Sequence, residues 1–126
     1  MTTRTGSFTL GEGVEFTAPE LMEPDVLHRL KHQLAEFEIA AFSANREVFH
    51  RTLPVITRAR LLRLVVAGAE ARTLWIEKAL LIAQSGHAPD PAEIATLAEL
   101  RHGYEELAAA FEAAKRAVER GYTTLG

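Results

Sequence analysis

The chain has no cysteine among its 126 residues. That absence excludes disulfides, thiolate nucleophiles and Cys-ligated zinc or iron–sulfur centres together. Serine is nearly as scarce, at Ser7, Ser43 and Ser85, and none sits in the Gly-x-Ser-x-Gly setting of a nucleophile elbow. No Gly-rich loop leads into a helix: Gly11-Glu12-Gly13 lies between two short β-patterned stretches, outside the phosphate-cradling context. The most apolar stretch, Leu64 to Ala83, is broken by Glu70, Arg72, Glu77 and Lys78, so it is no bilayer span. The opening MTTRTGSFTL has no apolar core of signal-peptide length. A large charge of either sign is missing as well. A formal net charge of −3 gives no global attraction to nucleic acid or anionic lipid, so any basic site is local. A cytoplasmic protein without a cofactor is expected.

What is present is ordinary globular composition, 48% hydrophobic and 25% charged. A chain of this length makes one domain that buries roughly two-thirds of its unfolded surface. Proline and glycine divide it. Pro19 and Pro24 precede a first apolar-periodic run, Pro54 separates it from a second, and Ser85-Gly86-His87-Ala88-Pro89-Asp90-Pro91 separates the second from a third that ends at Gly121. Each run predicts a helix of about 42–46 Å at 1.5 Å per residue. Residues 1–23 are expected as an arm, 24–121 as a helical domain and 122–126 as a tail.

In the first run Leu27, Leu30, Leu34, Phe37, Ala41, Ala44 and Val48 alternate spacings of three and four. In the third, Leu97, Leu100, Tyr104, Leu107, Phe111, Ala114 and Val118 do the same. Both are seams of helices packed at shallow angles. Asp90 before Pro91 is the natural cap of the third helix, and Asp25 or Glu23 beside Pro24 that of the first. Short connections make neighbours antiparallel, so the fold class is all-α, an up-down-up bundle of three long helices.

The second helix carries two apolar seams. One is Val55, Ala59, Leu62, Val66, Ala69, Ile76, Leu80 and Ala83, and the other is Leu61, Val65, Gly68, Trp75, Ala79 and Ile82. Only Arg63, Glu70, Glu77 and Gln84, seven apart, form a consistently polar stripe. Such a helix is buried on most sides, and two neighbours in one small chain cover only part of it. Ile39, Phe42, Phe49 and Leu53 form a further apolar line on the first helix. These features predict a homo-oligomer, with a dimer favoured, whose interface is Ile39, Phe42, Phe49, Leu53, Leu61, Val65, Arg72, Trp75 and Ile82. Arg72, set in the Trp75 seam, serves as an interface ion-pair member or a snorkelling edge residue.

Ahead of the helices, SFTLGEGVEFT alternates Phe8 and Leu10, then Val14 and Phe16, about a three-residue loop. This predicts a β-hairpin, which is marginal by itself and needs a surface to lie on.

Three patterns bear on chemistry. Glu47-Val48-Phe49-His50 and Glu99-Leu100-Arg101-His102 have the Glu-x-x-His spacing that is similar to the ligand pairs of ferritin-like di-iron proteins. Relative to the Leu27 and Leu97 seams, however, both histidines fall on solvent-facing positions, and no metal site is expected. His28-Arg29-Leu30-Lys31 resembles the His-x-Leu-Lys core of histidine phosphotransfer domains, which implies phosphoryl transfer at an exposed His28. His32, Gln33 and Leu34 stand where that family has small residues.

Finally, Arg46, Arg51, Arg58, Arg60 and Arg63 cluster about the first helix–helix connection, while Glu20, Glu23, Asp25, Asp90 and Glu93 mark the opposite end. Arg58, Arg60 and Arg63 stand in opening turns, where the helix dipole disfavours cations. The patch suits an anionic partner: an acidic protein surface or, less favoured, nucleic acid. The leading expectation is a non-enzymatic interaction, assembly or adaptor module that self-associates through its second helix. The alternatives are an anionic-partner regulator, phosphotransfer at His28 and a di-metal bundle.

Overall fold

The computed structural model describes residues 7–10, 14–17 and 23–126. By contacts the chain divides into two units, Met1–Ala44 and Asn45–Gly126, with the division inside a helix. In the first unit, strand β1 (Ser7–Leu10) pairs antiparallel with β2 (Val14–Thr17), Phe8 opposite Phe16 and Leu10 opposite Val14. The Gly11-Glu12-Gly13 loop expected between them lies outside the described residues, as do Pro19 and Glu20.

Helix α1 (Pro24–Thr52) opens with Pro24, whose fixed φ and missing N–H suit a first turn. It ends before Pro54 and buries no residue fully. Two of the three helices, α2 (Arg58–Gln84) and α3 (Pro91–Glu119), pack against each other. Of the expected bundle, the packing of α2 on α3 is seen. Within the second unit, Val48 of the α1 seam is exposed.

Local chemistry explains the boundaries of α2 and α3. Thr57 caps α2, its side chain accepting from the Arg60 N–H at 3.2 Å. Asp90 and Glu93 form a reciprocal capping box at the start of α3, with bonds of 2.8 and 3.0 Å. The C-terminus of α3 closes in a Schellman arrangement. Gly121 takes a φ of 78° there, the Tyr122 N–H donates to Ala117 O and the Gly121 N–H to Val118 O.

The last residues, expected only as a tail, form a second β element. Strand β4 (Thr124–Leu125) runs parallel to β3 (Val55–Ile56), which lies in the connection between α1 and α2. The Thr123 hydroxyl donates to Leu53 O at 2.7 Å, and Phe49 stacks on Tyr122 with ring centroids 5.9 Å apart. This corner buries Ile56, Ala117 and Thr123 to 5%, 4% and 4% exposure. It ties the end of α3 to the end of α1. Two-residue strands carry no readable period, which is why no pattern in the sequence announces them.

Candidate interaction surface

Which face of α2 meets α3 is shown by two contacts and one burial. Trp75 stacks on Tyr104 at 5.9 Å and 19°, the Arg72 guanidinium lies 5.9 Å from the Tyr104 ring centre, and Ile82 is buried. All seven expected seam residues of α3, from Leu97 to Val118, are half-buried. Opposite them on α2, Leu61, Leu64, Gly68, Ala71, Trp75 and Ala79 are half-buried. Between the helices an apolar cleft of about 260 Å³ remains, lined in part by Leu64, Gly68, Arg72, Tyr104, Leu107 and Phe111.

The residues expected at an interface therefore separate. Leu61, Trp75 and Ile82 are engaged within the chain, and Arg72 finds its partner in the Tyr104 ring, not in a carboxylate. Phe49 and Leu53 belong to the corner with Tyr122 and Thr123. Val65 is exposed, and Ile39 and Phe42 lie on α1 in the first unit.

The free face of α2 is the other seam. Leu62, Val66, Ile76 and Leu80 are 63%, 47%, 49% and 55% exposed, and Ala59, Ala69, Thr73 and Ala83 on the same line are exposed too. Thr73, the polar member of this line, donates its hydroxyl to Ala69 O at 2.8 Å, so its hydrogen-bonding need is met inside the helix. A shallow depression of about 470 Å³ lies at the middle, lined by Val65, Val66, Ala69, Glu70, Thr73 and Leu74. One border is the stripe Arg63, Glu70, Glu77 and Gln84, all exposed. No period in the sequence separates this seam from its twin. The ring pair Trp75–Tyr104 does so, since stacking on Tyr104 sets the Trp75 side of α2 against α3.

The five arginines of the expected basic cluster lie on the last turns of α1 and the first turns of α2. Arg46, Arg51, Arg58, Arg60 and Arg63 are exposed, and none forms an ion pair among the described residues. The Arg58 N–H donates to Gly126 O at 2.8 Å, which places the end of β4 at the N-terminus of α2. His28, His50 and His102 are exposed, and among the described residues no three His, Asp or Glu side chains gather as a metal site would require. Nor is any helix there long and apolar enough to cross a membrane. No family model, curated protein or solved structure matches this chain.

Proposed function

We propose that the protein is a non-enzymatic interaction and assembly module that self-associates through α2. The observation that carries this reading is the exposed apolar seam of α2 on the side away from α3. Contiguous apolar lines of this length are uncommon on monomers and mark contact surfaces. Energetics support it as well. Among the described residues only Ile56, Ile82 and Ala117 are fully buried apolar side chains. So small a core does little against the roughly 1–2 kcal/mol per residue that ordering the backbone costs. A second copy of the α2 seam would supply further burial.

Sedimentation over a wide concentration range tests the proposal. The wild-type chain should associate, and Ile76→Lys should be monomeric while keeping its helical circular dichroism. A wild-type monomer at every concentration would falsify self-association.

The second reading, an anionic partner at the basic end, is favoured by one observation: five arginines there lack acid partners among the described residues. It predicts salt-sensitive binding to an acidic protein or to nucleic acid, weakened by Arg58→Glu with Arg60→Glu. Binding that ignores salt and both substitutions argues against it.

A further inference from the structure

We propose that α2 crosses the α2 of a second copy antiparallel, with the two-fold axis passing between Ala69 and Thr73. This rests on the self-association reading and adds to it an element, an orientation and a register. The exposed seam is Ala59, Leu62, Val66, Ala69, Thr73, Ile76, Leu80 and Ala83, spaced three and four residues apart by turns. Read backwards, it has the same order of sizes. A two-fold axis at its midpoint sets Ala69 beside Thr73 of the second copy, Val66 beside Ile76, Leu62 beside Leu80 and Ala59 beside Ala83. An isologous contact needs such a self-complementary patch.

The sizes also fit two rods that cross. The gap between crossing helices is narrowest at the crossing point, and small side chains there let the backbones approach. Here Ala and Thr occupy the centre, Val and Ile the next layer, and Leu the layer beyond. The depression over Ala69 and Thr73 is the concavity that such a crossing fills. Thr73 enters the contact at no hydrogen-bonding cost, since its hydroxyl is already bonded to Ala69 O.

Two observations select a second copy in this orientation. First, the corner around Tyr122 turns Phe49 inward and leaves the neighbouring seam residue Val48 53% exposed. Val48, the last residue of the α1 seam, therefore does not pack on α2. Second, charge is distributed unevenly along the α2–α3 pair. Arg58, Arg60, Arg63, Lys115, Arg116 and Arg120 outnumber Glu112 and Glu119 at one end, and Glu77, Asp90, Glu93 and Glu99 outnumber Lys78 and Arg101 toward the other. Antiparallel copies set basic end against acidic end, whereas parallel copies stack basic on basic. At the flank of the seam the antiparallel register brings Arg63 within two residues, about 3 Å along the axis, of Glu77 of the second copy, once on each side of the axis. The same offset sets Glu70 near Glu70 of the second copy, so the two Arg63–Glu77 pairs have to outweigh one like-charge contact. Neither Arg63 nor Glu77 has an ion-pair partner among the described residues. A parallel register would instead set Arg58 beside Arg63 of the other copy.

The absence of cysteine makes the test direct. Full-length Leu62→Cys and Leu80→Cys chains are unfolded, mixed, refolded and oxidised, then run without reductant. The mixture should give a covalent dimer and each variant alone should not. In a dimer of Leu62→Cys alone, the two introduced thiols would lie about 18 residues, or about 27 Å, apart along the helix axis. Disulfides need Cα atoms within about 7 Å. In parallel, Arg63→Glu should weaken the dimer roughly tenfold at low salt, and Arg63→Glu with Glu77→Arg should restore it. A wild-type monomer overturns both the inference and the reading beneath it. A dimer in which Leu62→Cys crosslinks by itself is parallel and overturns the inference alone. So does a dimer that forms no crosslink in the mixture, or whose Arg63→Glu defect the second substitution fails to repair.

Discussion

At the scale of single residues, the described structure depends on caps and one buried hydroxyl. Asp90 and Glu93 satisfy each other's backbone N–H groups at the start of α3. Asp90→Ala removes one half of this box and should cost about 1 kcal/mol, read as a lower urea midpoint with an unchanged slope. Thr123 is 4% exposed and donates to Leu53 O. Replacing it by the isosteric Val strands that carbonyl in a buried corner, with an expected loss of about 1–3 kcal/mol. Should Thr123→Val unfold at the wild-type midpoint, the hydrogen bond is not what holds the corner. Asp90, Pro91 and Gly121 were legible as punctuation because capping is local chemistry, and Gly121 does take the positive φ that favours glycine. Thr123 was not legible, since its partner Leu53 lies 70 positions away.

At the scale of elements, α2 is the informative one. Its two seams have equal claim by spacing, and periodicity alone says only that both are apolar. Ring chemistry assigns the Trp75 face to α3, which relocates the free surface to Leu62, Val66, Ile76 and Leu80. Trp75 is the chain's sole tryptophan and reports on this packing. Tyr104→Ala should shift its emission to the red and lower stability by about 2 kcal/mol, less than a full core truncation because both rings are half-buried. Unchanged emission would mean that the stack does not form in solution. The β3–β4 pair makes a second element-level prediction. Truncation after Gly121 removes the Tyr122 ring, the Thr123 hydroxyl and the Thr124 and Gly126 backbone bonds in one step. The shortened chain should melt several degrees lower, consistent with a loss of about 2 kcal/mol or more. On α3 every seam residue expected to face inward is at least half-buried, because a single apolar line leaves the helix no second choice of face.

At the scale of the whole molecule, stability and assembly are coupled in the proposed function. If the seam of α2 is covered only in the dimer, native protein gains stability by mass action. The melting temperature should then rise with each tenfold increase in protein concentration, and Ile76→Lys should abolish that dependence. A melting temperature independent of concentration counts against association in the folded state. Charge acts at this scale too. A chain of net charge −3 still concentrates its arginines at one end of the α2–α3 pair. Dimerisation by the antiparallel route should therefore weaken as salt screens the opposed ends.

The sequence by itself determined the elements of this protein: three long helices, their caps and breaks, the inward line of α3 and the surplus of apolar surface on α2. Each of these follows from the order of residues within a few turns, where period and capping chemistry act without reference to the rest of the chain. Only the tertiary structure decided which surface of α2 is spent on α3 and which is left free. It alone joined the final residues to the α1–α2 connection. Those choices depend on groups far apart in the chain, Trp75 with Tyr104 and Leu53 with Thr123, whose meeting no local pattern encodes.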